Sequence, residues 1–149
     1  LKKYSFRLQP VLDIREKTLE DKRLEMAQVI QLLNEQQEGL ERLLAKQGSY
    51  KEELESLSLE DILNVFALAN FENYMVTLQE QITQQKFTIE NTKKALRVKQ
   101  EAVNEALKDV KVFEKLKEKQ SQKFYRDIEM KEANEIDDIS TARYKLKRA

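Results

Sequence analysis

The 149-residue chain has no cysteine, no histidine and no tryptophan, and only two glycines and one proline. Without cysteine there is no disulfide framework and no thiol chemistry. Without histidine the commonest zinc ligand and the commonest general base are missing. Average chains carry about 7% glycine and about 5% proline; folds that turn often need those residues, so a β-sandwich, a barrel or an α/β domain is excluded. A charge excess is missing too, with 27 basic and 27 acidic residues. That balance argues against a nucleic-acid binder, which carries a basic surplus, and against an acidic disordered tail. No apolar run approaches the roughly 18 residues of a membrane span, and the opening LKKYSFRLQP has no secretion-signal core. The expectation is a soluble, cytoplasmic protein with no cofactor, no nucleic-acid partner and no direct insertion into a membrane.

Charge and helical periodicity fill the space that turns would occupy. Charged residues make up 36% of the chain. Leu12, Leu19, Met26, Leu33 and Leu40 recur every seven residues, Gln47 interrupts the row and Leu54 resumes it. A companion row holds Leu8, Val29, Leu43, Tyr50 and Leu57, broken at Arg15, Lys22 and Gln36. A second seam runs through Met75, Ile82, Ile89, Leu96, Val103 and Val110, returning at Phe124 after Lys117, with Phe71, Leu78, Ala106 and Phe113 beside it. This alternation of three and four marks a coiled coil. The pattern predicts an all-α protein forming a single domain over residues 1–149. One helix covers about 8–57, a turn falls within 55–70, and a second helix covers about 71–145. The Ser58-Leu59-Glu60-Asp61 pattern suits a helix N-cap near Leu59, and Asn70 is a point where that helix could kink.

Two such helices in one chain fold back most simply as an antiparallel hairpin. Facing residue numbers then total a constant between about 116 and about 128 for turns centred near residues 58 to 64. The second helix is the longer, and most of the chain beyond residue 120 has no partner in its own chain. That overhang, roughly 25–30 residues or about 40 Å of helix, includes VFEKLKEKQSQKFYRDIEMKEANEIDD. Within it, Lys117–Lys123 contain no apolar residue at all. Such polarity suits a helix that waits for another protein.

Candidate chemistry is sparse. Glu52, Glu53 and Glu55, or Glu135, Asp137 and Asp138, are acid clusters, but neighbours on a helix point about 100° apart and do not converge on one ion. No glycine-rich phosphate loop exists, and a two-helix hairpin offers no pocket for a nucleophile. The chain reads as a non-enzyme. The terminal RYKLKRA, with Arg143, Lys145, Lys147 and Arg148, complements a helix C-terminus. Gly39 and Gly48 mark a softer part of the first helix. The stretch Leu59–Leu78 is over-rich in apolar residues for one core-facing stripe. It wraps over the hairpin tip, forms a docking patch for another protein, or does both.

The terminal segments resemble one known family. YSFRLQPVLDIREK (residues 4–17) is similar to the N-terminal signature of the FliJ family, the coiled-coil component of the bacterial flagellar type III export apparatus. VFEKLKEKQSQKFYRDIEMKEANEIDDIS (residues 112–140) resembles its C-terminal signature. The spacing of Phe71, Tyr74 and Leu78 is similar to a pattern in its middle. The resemblance implies an antiparallel coiled coil similar to the central stalk of rotary ATP synthases. It implies a protein of flagellum biogenesis and motility, at the cytoplasmic face of the flagellar basal body. The paired termini would enter and stimulate the hexameric flagellar export ATPase, through Phe6, Leu8, Arg15, Phe113, Leu116, Phe124 and Tyr125. Among these, Leu8 and Phe113 are also the foremost seam candidates. The cytoplasmic domain of the export gate would be met by Phe71, Tyr74, Leu78, Gln81 and Gln85. Substrate-specific export chaperones would be a third class of partner. Two alternatives stand beside this. One is a chaperone-like or scaffold coiled coil that holds clients at an apolar tip, using residues such as Phe66 and Leu68. The other is an intermolecular coiled coil.

Overall fold

The computed structural model describes residues 2–57 and 64–148. Two helices account for nearly all of them: α1, Gln9–Glu55, and α2, Val65–Arg148. The described residues contain no strand. The helix bounds differ from the sequence pattern chiefly at the start of α2, which begins six residues before the first heptad residue, Phe71, and runs through Asn70 without a break. The Ser58–Asp61 capping pattern lies outside the described residues. Asn64 caps the helix as described: its Oδ1 accepts from the Ala67 amide at 3.3 Å, and its carbonyl accepts from the Leu68 amide at 3.0 Å, satisfying donors that a helix start leaves free.

The ends of α1 follow from the same accounting. Pro10 sits in the first turn, where its missing N–H would have had no partner anyway, and the Leu12 amide closes onto the Leu8 carbonyl at 3.0 Å. At the far end the Ser56 hydroxyl donates to the Glu53 carbonyl at 2.8 Å. The Leu57 amide tightens onto the Leu54 carbonyl at 3.3 Å, a 3₁₀-type closure.

The chain divides into two compact units, residues 1–21 with 104–149, and residues 22–103. In both, α1 packs antiparallel against α2. In the second unit Glu25 faces Lys99, and in the first Arg15 faces Asp109; both pairs of residue numbers total 124, inside the expected window. The first unit is built on Phe6, Leu12, Leu19, Ala106 and Val110, and the second on Leu78, Ile82 and Ile89, with Thr92 beside them. Seam residues Met26, Leu33, Leu40, Met75, Leu96 and Val103 are half-buried, as two helices alone can shield only part of each side chain.

Most interruptions of the heptads are given a partner. Arg15 meets Asp109 at 3.9 Å, Lys22 meets Glu25 at 3.6 Å, and the Gln36 carbonyl accepts from Gln85 Nε2 at 2.8 Å. The gaps in the α2 companion row behave alike. Lys99 Nζ lies 3.2 Å from Glu25 Oε2, and the Thr92 hydroxyl donates back to the Thr88 carbonyl at 3.1 Å. A polar group in a seam costs free energy only while unpaired, so the paired residues interrupt the apolar rows at little cost, whereas Gln36 Oε1 is buried with no hydrogen-bond partner among the described residues.

Candidate functional site

The N-terminal segment before α1 is non-helical, with a turn at residues 7–8 in which the Gln9 amide donates to the Phe6 carbonyl at 3.1 Å, and its side chains alternate. Tyr4, Phe6 and Leu8 turn inward while Lys3, Ser5 and Arg7 face solvent. This is the period of two expected of extended backbone. Phe6 is 6% exposed. The Tyr4 ring packs at 5.6 Å, tilted, against Phe124; its hydroxyl donates to Gln120 Oε1 at 3.2 Å, and its amide lies 3.5 Å from the Tyr125 hydroxyl. Lys117 Nζ donates to Gln9 Oε1 at 2.8 Å.

These contacts correct the expected overhang. The chain beyond residue 120 is not bare from its start, because Tyr4 touches Gln120, Phe124 and Tyr125. Lys2 shares a shallow open cavity with Ile128, Lys131 and Glu135. The antiparallel register continues ahead of α1: Gln9 with Lys117 totals 126 and Tyr4 with Gln120 totals 124, so the segment before the helix still lies along α2. The polar run Lys117–Lys123 is therefore partly engaged. The uncovered limb is Glu129–Arg148, every residue of which is helical and exposed.

Of the residues expected to face the ATPase, all seven fall in the first unit. Phe6 is in its core; Leu8, Phe113, Leu116 and Phe124 are half-buried; Arg15 is exposed and paired with Asp109; Tyr125 is 47% exposed. The five expected to face the export gate lie in the second unit but do not share one surface. Leu78 is 2% exposed, and Gln85 is turned into the seam by its bond to Gln36. Phe71 is half-buried against Tyr50 at 5.1 Å, and Tyr74 stacks on Tyr50 at 4.1 Å. Only Tyr74 and Gln81 are exposed. The sequence reading passed over Tyr4 and Lys117 as contact residues. The alternation of Tyr4, Phe6 and Leu8 was the available signal for an extended strap.

In the apolar stretch, Leu59, Ile62 and Leu63 lie outside the described residues. Val65 and Phe66 are 74% and 84% exposed, while Leu68 is half-buried. The described residues hold no group of acidic side chains able to bind a metal ion, and no helix among them is long and apolar enough to cross a membrane. At the far end Lys145, Lys147 and Arg148 occupy the last turn of α2, with Arg148 over the Tyr144 ring at 5.0 Å, consistent with cations favoured at a helix C-terminus.

Two antiparallel helices of unequal length, the longer ending in an uncovered charged limb, define a two-helix coiled-coil protein. The family model described as Flagellar FliJ protein matches residues 4–149, and the chain belongs to the FliJ family, a non-catalytic component of flagellar protein export. No curated protein and no solved structure gave a significant match.

Proposed function

We propose that the chain is the stalk-like component that enters the hexameric flagellar export ATPase, raises its activity, and links it to the cytoplasmic domain of the export gate at the cytoplasmic face of the basal body. The observation that carries this reading is the limb Glu129–Arg148, helical and exposed throughout. A single charged helix fits a polar channel that a globular domain would not. Under this reading Tyr125, Phe124 and Arg15 lie at the mouth of the channel. Tyr74 and Gln81 are then the gate-facing residues available on the surface. Export chaperones for flagellar substrates would be met by the same protein.

The test is steady-state ATP hydrolysis by the matched hexameric ATPase with the full chain and with a chain ending at Ile128. That truncation removes only exposed residues, so circular dichroism should show the remainder intact while stimulation disappears. Undiminished stimulation by the truncated chain would end the reading. The exposure of Val65 and Phe66 favours a second reading, a holdase that grips unfolded clients at the apolar end of the second unit. Phe66→Asp with Leu68→Asp would abolish client protection in that case and leave ATPase stimulation unchanged in the first.

A further inference from the structure

The uncovered limb carries an apolar stripe of its own. At about 100° per residue, Ile136, Ile139 and Leu146 fall within an arc of about 80°, in line with Tyr125 and the half-buried Ile128 just before the limb. Ile136, Ile139 and Leu146 are 63%, 55% and 77% exposed. Two charged residues, Glu132 and Arg143, complete the same stripe. The limb is also split by sign. Residues 127–138 hold six acids and one base, while residues 139–148 hold four bases and no acid.

From this arrangement we infer that the limb pairs antiparallel with the limb of a second copy of the chain. A two-fold axis midway between Ile136 and Ile139 sets Ile136 of one copy against Ile139 of the other. The same axis sets Glu132 against Arg143, twice, since both lie equally far from the midpoint. Leu146 then falls within one residue of Ile128. The acidic half of each limb lies along the basic half of its partner, so the flanking charges attract. Parallel pairing would set Glu132 against Glu132 and Arg143 against Arg143, which repel. Charge complementarity of the limb with its own inverted copy is what selects this occupant, and the inference is independent of the ATPase reading.

The interface is small, so the dimer is a concentrated-solution state. Sedimentation equilibrium of the full chain from about 10 μM to about 1 mM spans the range where an interface at the low end of specific contacts is populated. The mass should rise toward twice that of the single chain. The rise should weaken between about 0.05 M and about 0.5 M salt, which shortens the Debye length roughly threefold. Glu132→Arg alone and Arg143→Glu alone should each keep the chain monomeric, and the two together should restore the dimer. The chain has no native cysteine, so Ile139→Cys should crosslink to itself on oxidation while Leu146→Cys should not. A chain monomeric throughout would leave the stripe to a different protein and overturn the inference. A dimer indifferent to the charge swaps, or one that crosslinks through both cysteines, would overturn it as well.

Discussion

Gln85 Nε2 reaches across from α2 to the Gln36 carbonyl on α1 at 2.8 Å, and it passes close beside Gly39. A Cβ at Gly39 would stand 3.1 Å from that nitrogen, whereas one at Gly48 would meet nothing within 4 Å. Neither glycine has a positive φ. Gly48→Ala should therefore stabilise the chain by about 0.5–1 kcal/mol through helix propensity. Gly39→Ala should gain less by about 1 kcal/mol, the net worth of a strained hydrogen bond. In the Gln85→Ala background the two substitutions should become equivalent, which urea unfolding would show.

Glu25 gives the second unit a pH dependence. The Lys99 ammonium, through its hydrogen bond, and then the Lys22 charge hold the Glu25 carboxyl below its usual range. A carboxylate with a lowered folded value stabilises the native state above the ordinary glutamate range and loses that contribution as pH falls from that range through the lowered folded value. An NMR titration should find Glu25 protonating at lower pH than an unpaired glutamate. Lys99→Met should move it upward, and a Glu25 that titrates identically in both chains would refute the pairing.

Leu78 and Gln81 separate packing from recognition. Leu78→Ala should cost about 2–5 kcal/mol by opening a cavity in the seam, and any loss of gate binding it shows should track unfolding. Gln81→Ala lies on the surface and should change stability by less than about 0.5 kcal/mol. Weaker binding of the export gate domain by the Gln81 variant, measured calorimetrically at an unchanged melting temperature, is the expected outcome.

Tyr4 holds the strap to α2. Tyr4→Ala removes a tilted aromatic contact worth about 0.5–1.5 kcal/mol and the hydrogen bond to Gln120. Amide exchange should quicken in the first unit, around residues 6–12 and 106–125, with residues 22–103 unchanged. Uniform quickening along the chain would show that the strap does not act locally.

The rows of leucine, isoleucine and valine at intervals of seven, with two glycines and one proline, determined by themselves that this chain makes two long helices and pairs them antiparallel. Heptad periodicity reports which face is apolar, and a chain without turns has few other ways to bury it. Those rows also marked the buried positions, down to Leu12, Ile82 and Val110. Tertiary structure alone decided how the gaps are filled. Lys99 reaches Glu25, and Gln85 finds a backbone carbonyl beside a glycine, because such pairings depend on which residues face each other across two helices. It also decided where the bare limb begins: Tyr4, ahead of α1, packs on Phe124 and bonds Gln120, and helical periodicity does not record contacts made by a non-helical segment.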